Sequence, residues 1–127
     1  MASKSRSLKA AAEKAQHALF VLKDKLSGEA ISTSVKITDS GFVIVQKLKV
    51  ADNNTVVSEV SGDQNGFSIA IEELTTPKGN DAPMQLARSA LQVDRRGEVI
   101  ISGRTQGSLA AFFSLQSSQI ASSMCSA

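Results

Sequence analysis

The chain is expected to form a single α+β domain, an antiparallel meander sheet of about six strands flanked by an N-terminal and a C-terminal helix. Three features of the sequence predict it. Apolar residues recur with a period near 3.6 over residues 7–27, the period changes to 2 between Glu29 and Glu73, and clusters of turn formers punctuate that second region at short intervals. A length of 127 residues suits one core, and 42% apolar with 20% charged residues is a globular composition. The expected division is a basic tail over 1–6, a helix over 7–27, a sheet over 30–104 with a surface loop at 75–83, and a helix over 108–124.

Leu8, Ala12, Ala15, Leu19, Leu22 and Leu26 follow one another at steps of three and four, which places them on one stripe of the first helix. Its second half, around Ala18–Leu22, is expected to be the more deeply buried, and Gly28 to end it as the C′ residue. Ile31, Thr33, Val35 and Ile37 then alternate with Ser and Lys, the pattern of a half-buried strand. After the turn at Asp39-Ser-Gly41, Phe42, Ile44, Leu48 and Val50 share a face with Gln46, and Lys47 and Lys49 take the other.

Asp52-Asn-Asn54 turns into a third strand over 56–61, and the Gly-bounded loop Gly62-Asp-Gln-Asn-Gly66 leads to a fourth from Phe67. Connections this short join neighbouring antiparallel strands. Consecutive Glu72 and Glu73 point to opposite faces and mark the place where that strand leaves the sheet. Met84–Ala90 fits either a short helix or a strand, with strand favoured from Ser89. A last hairpin turns at Asp94-Arg-Arg-Gly97, with Val99 and Ile101 facing inward, and Ser108 caps a helix carrying Leu109, Phe112, Phe113, Ile120 and Met124 on one side.

Charge is ordered along the chain. Residues up to Gly28 hold six Lys or Arg against two acids, the segment from Glu29 to Asp81 holds eight acids against four Lys, and Arg88, Arg95, Arg96 and Arg104 follow. After Arg104 no charged side chain occurs, and Ser114, Gln116, Ser117, Ser118, Gln119, Ser122 and Ser123 lie opposite the apolar stripe of the last helix. Uncharged Ser and Gln lose far less hydration on burial than Lys or Glu, so this composition suits a helix covered on both sides. Phe112 and Phe113 point about 100° apart on a helix, which turns one of them toward another subunit.

No catalytic set emerges. Cys125 is the lone cysteine and His17 the lone histidine, so neither an intramolecular disulfide nor a cysteine metal site can form, and no cofactor is expected. An enzyme would need a carboxylate such as Glu59, Glu72 or Asp94 in an apolar cavity. With no apolar run of membrane-spanning length and no secretory h-region, the expected location is the cytoplasm or a particle assembled there.

The expectation is therefore a non-enzymatic structural or interaction protein, a homo-oligomer of coat or shell type that meets its copies through Leu8, Ala12, Ala15, Leu109, Phe112, Phe113 and Ile120. One alternative is a nucleic-acid-associated protein with phosphate contacts from Lys4, Arg6, Lys9, Arg88, Arg95, Arg96 and Arg104. The other is a carrier of a small apolar ligand. Size, meander and terminal helix loosely resemble the coat proteins of single-stranded RNA phages. Those begin directly with strands and this chain with a long helix, so no functional residue is carried over.

Overall fold

A computed structural model describes residues 2–77, 82–94, 96–102, 106–107 and 109–125. Helix α1 (Ala2–Leu26) precedes strands β1 (Glu29–Thr38), β2 (Gly41–Ala51), β3 (Asn54–Gly62), β4 (Gly66–Thr75), β5 (Met84–Asp94), β6 (Val99–Ser102) and β7 (Gln106–Gly107), and helix α2 (Ala110–Cys125) closes the order. The strands β1 to β6 lie side by side in chain order and every pair is antiparallel, while the two-residue β7 adds to the outer side of β5. The meander is thus as expected, and both helices lie on one of its faces.

The alternation in the sequence sets that face. Phe42, Ile44 and Leu48 on β2, Val56 and Val60 on β3, Ile69 and Ile71 on β4, and Ala87, Leu91 and Val93 on β5 are buried. α1 lies over β2 and leans on β1, α2 lies over β5 and β4, and the helices meet each other. The stripe Leu8, Ala12, Ala15, Leu19 and Leu22 is buried along its whole length. Its second half is not the deeper one, because Phe20 and Val21 project into solvent while Leu8 and Ala12 are closed over by the sheet.

Several boundaries differ from the sequence reading. α1 begins at Ala2, so residues 2–6 belong to the helix rather than to a tail. Ser27, with φ of 51°, is the left-handed residue that ends it; its N–H donates to the Asp24 carbonyl and that of Gly28 to the Lys23 carbonyl, which moves the C′ position one residue earlier than Gly28. Met84–Ala90 is strand throughout, held in register against Glu72–Thr75 at its start. β4 does not leave the sheet at Glu72 and Glu73 but continues to Thr75, with Glu73 buried and accepting a hydrogen bond from Asn54 Nδ2 at 3.2 Å. Ser108 lies outside the described residues, as do 78–81 of the surface loop.

A row of polar side chains crosses the middle of the core face. Gln46 pairs with Ser58 across β2 and β3, Ser89 lies two strands further on, and Gln116 and Ser117 of α2 are buried above. Ser89 and Ser117 approach to 3.5 Å between hydroxyls, whereas Ser58 Oγ is fully buried without a hydrogen-bond partner. A buried unpaired hydroxyl costs about 1–3 kcal/mol, and alanine removes it with almost no loss of volume. Ser58→Ala is accordingly expected to be neutral to ~1 kcal/mol stabilising by urea unfolding. A loss of that size instead would show that the hydroxyl is bonded in solution.

Candidate functional site

Two helices of about 10 Å diameter cover some 20 Å of a sheet, but six strands at ~4.8 Å spacing span nearly 30 Å. The helix layer is therefore too narrow, and the deficit falls on the outer strands. All ten residues of β1 are exposed, including Ile31 at 54% and Val35 and Ile37 at 42%. At the other edge Val99, Ile100 and Ile101 are 57–59% exposed. Val99, opposite buried Val93, takes the helix side as expected but stays uncovered because α2 stops over β5, whereas Ile101, opposite exposed Gln92, is not inward-facing.

Among the described residues β1 pairs only with β2, and no strand lies along its outer side. Thr33, Val35 and Ile37 stand opposite the buried Gln46, Ile44 and Phe42 in register and share their side of the sheet. Beside this apolar strip runs one flank of α1. Leu19 and Leu22 turn to the sheet and Ala18 and Val21 to the cleft shared with Gln116 and Gln119 of α2, which leaves Phe20 on the flank away from α2. Phe20 is 54% exposed, with Lys23 Nζ 5.5 Å from its ring centroid.

The sheet face opposite the helices is mixed, with Val43, Val45 and Val57 among charged side chains. Lys36, Lys47 and Lys49 gather on β1 and β2, followed by Glu59 on β3, then Glu72 on β4 opposite Arg88 on β5. Gln85 Nε2 donates to Glu72 Oε2 at 2.8 Å, and Ser61 and Ser68 share a hydroxyl contact of 3.0 Å. The three lysines are on strands β1 and β2, with Glu29 opposite Lys49 and Glu59 on the neighbouring strand, while Glu72 is balanced by Arg88.

The residues expected at a helical interface mostly build the chain's own core instead. Leu8, Ala12, Ala15, Phe113 and Ile120 are buried beneath the sheet-to-helix contact, and Leu109 and Phe112 pack half-buried against it. The reason is the sheet: its central strands present enough apolar surface to absorb both helix stripes. Gln116 and Ser117, expected on the outer side of α2, are buried too, and Leu115, Ser118 and Gln119 form its exposed side. Lys25 Nζ donates to Gln119 Oε1 at 2.8 Å and ties the helices together there.

No family model, curated protein or solved structure matches this chain.

Among the described residues the expected phosphate contacts do not converge. Lys9 is exposed on α1, Arg88 on the opposite face of the sheet, and Arg96 at the β5–β6 turn. The side chains of Lys4 and Arg6, together with Arg95 and Arg104, lie outside the described residues. The carboxylates considered for catalysis are committed elsewhere or open to water. Glu59 is exposed, Glu72 is held by Gln85, and Asp94 Oδ1 accepts from the backbone N–H of Arg96 and Glu98 to shape a turn. Among the described residues no three His, Cys, Asp or Glu side chains come together as metal ligands. His17 is exposed on α1.

Cys125 is half-buried where the end of α2 meets the β5–β6 turn. Burial, with a smaller contribution from the Asp94 carboxylate and against the pull of Lys14, pushes its thiol above the ordinary value. That direction suppresses thiolate, the reactive form. Among the described residues no helix is long and apolar enough to cross a membrane.

The sequence pattern missed the edges because alternation says which residues share a face, not whether anything covers it. A signal was present nonetheless: in a meander the first and last strands are edges by construction, so β1 and β6 had to be the exposed ones.

Proposed function

We propose that this protein is a non-enzymatic structural subunit of coat or shell type, and that it self-associates by carrying its sheet from one copy to the next. The observation that carries this reading is β1: ten consecutive exposed residues, unpaired along the outer side, with Glu29 and Lys36 as its only charges. A long apolar edge strand is a template for strand pairing, and proteins that remain alone blunt such edges with charges, prolines, short strands or a covering helix. β1 carries a bulge between Ala30 and Ser32 and one lysine, Lys36, but no proline, and it runs for ten residues. In this reading β1 forms the main contact and the helices chiefly hold the sheet rigid, which differs from the expectation that the terminal helices join the copies.

A nucleic-acid partner is the competing reading, favoured by Lys36, Lys47 and Lys49 on adjacent strands of the uncovered face. Glu59 and Glu72 on the next strands weigh against it. The apolar-carrier reading has less support, because the clefts that line the sheet ends and helix flanks, such as that of Leu91, Val99, Ala121 and Cys125, are open to solvent.

Light scattering across salt concentrations separates the two. Pairing of an edge with few charges is expected to give a particle of at least two chains whose mass is unchanged or rises between low and high salt. Phosphate contacts instead weaken steeply as salt rises. A particle of one chain at every protein and salt concentration would remove the assembly reading.

A further inference from the structure

We infer that two copies pair through β1 about a two-fold axis near Ser34 or Val35, making one continuous antiparallel sheet of twelve strands, with Phe20 of each α1 filling the gap between the helix layers. The inference rests on the self-association proposed above and names its surface and its symmetry.

The first argument is continuity. At the far edge the described residues give only four-residue β6 and two-residue β7, both on the outer side of β5. β1 is unbroken for ten residues. All ten of its residues are exposed, as is Phe20 beside them.

The second argument is self-complementarity. An axis passing through a residue sets every residue opposite one of the same face. With the axis at Ser34, Thr33 meets Val35 and Lys36 meets Ser32 of the second copy; at Val35, Thr33 meets Ile37 and Lys36 meets Ser34. At Val35 the strand sets no charge against a like charge, the arrangement that destabilises cross-strand pairs; at Ser34 the one like pair, Glu29 level with Asp39, falls at the strand's end.

The third argument is the width of the helix layer. α1 lies over β2 and leans on β1, so joining two β1 edges leaves the two α1 helices roughly 10–14 Å apart at ~4.8 Å per strand. Packed helices sit 8–10 Å apart, which leaves a gap of a few ångström above the bare strip of Thr33, Val35 and Ile37. Phe20, on the flank facing that gap, supplies a ring from each side, and Lys23 covers it.

The test uses the full chain with Cys125→Ser as background, adding Ser34→Cys or Val35→Cys. One of these two brings its thiols within the 4.4–6.8 Å Cα separation of a disulfide, so mild oxidation is expected to cross-link more than half of that variant into a species of twice the chain mass. Val35→Lys with Ile37→Lys is expected to cut the particle mass at least twofold by light scattering, with the circular dichroism and melting curve of one folded chain retained. Phe20→Ser is expected to weaken association at least tenfold. An assembled particle that survives the double lysine variant, with neither cysteine cross-linking, overturns the β1 interface and leaves assembly through another surface. A parent protein that is one chain throughout overturns this inference and the reading beneath it.

Discussion

Phe113→Ala is expected to destabilise the protein by about 3–5 kcal/mol, the range for a phenylalanine removed from a closed core. Phe113 is completely buried, its backbone N–H is tied to the Leu109 carbonyl, and it belongs to the single cluster that joins both helices to the sheet. Phe112→Ala is expected to cost only ~1–2 kcal/mol, because that ring is half-exposed and its main aromatic contact is Phe113 itself, 6.0 Å away between centroids and tilted by 56°. Thermal melting makes the contrast visible, at roughly 10–20 °C for Phe113 and a few degrees for Phe112 in a domain of this size. Equal effects would mean that the helix register differs from the one described. Loss of assembly in the Phe113 variant would report unfolding and not a lost interface.

The central part of the fold was legible because period-2 patterning and short turns are local. β2, β3 and β4 begin and end within two residues of the expected positions apart from the far end of β4, and Lys47 and Lys49 take the face away from the helices as their flanking of Leu48 requires. Asp63 shows why the loop was readable: its Oδ1 accepts from the N–H of Asn65 at 2.7 Å and of Gly66 at 3.3 Å, the local bonding that favours Asp at a turn. The α1 stripe was equally plain.

What was not legible depended on partners distant in sequence. Ser and Gln on α2 were read as facing outward, yet Ser117 points at Ser89 and Gln116 is buried, because α2 rotates to set Phe113, Ile120 and Ala121 on the sheet. Ser27 rather than Gly28 takes the left-handed conformation, since the two-residue link to β1 fixes where the helix must stop. The assembly surface was hidden for the same reason. Ile31, Val35 and Ile37 look like core residues in sequence, and only the width of the helix layer reveals that nothing in one chain reaches them.

Gly62→Ala is the other change with a large expected effect, about 2–3 kcal/mol, and it links stability to the proposed edge. A Cβ at Gly62 would stand 2.6 Å from the Gly66 carbonyl oxygen and 2.6 Å from Phe67 Cβ, with Phe67 Cα at 2.9 Å. The Gly66 carbonyl cannot yield, because it accepts the N–H of Asp63 at 2.9 Å and so closes the β3–β4 turn. Gly41 stands just as close from the other side, since a Cβ there would meet the Gly62 oxygen at 2.5 Å. Any backbone shift at Gly62 is thereby passed to Gly41, which pairs with Thr38 at the end of the β1–β2 hairpin. Gly28→Ala is the control: its Cβ would meet only Leu48 side-chain carbons at 3.2 Å and Val50 at 3.5 Å, and less than ~1 kcal/mol is expected. If the edge of β1 joins copies, Gly62→Ala lowers both the denaturation midpoint and the association constant, whereas Ser58→Ala, buried on the same strand, leaves association unchanged. A Gly62 variant that melts early but assembles normally would show that the hairpin end does not orient the edge.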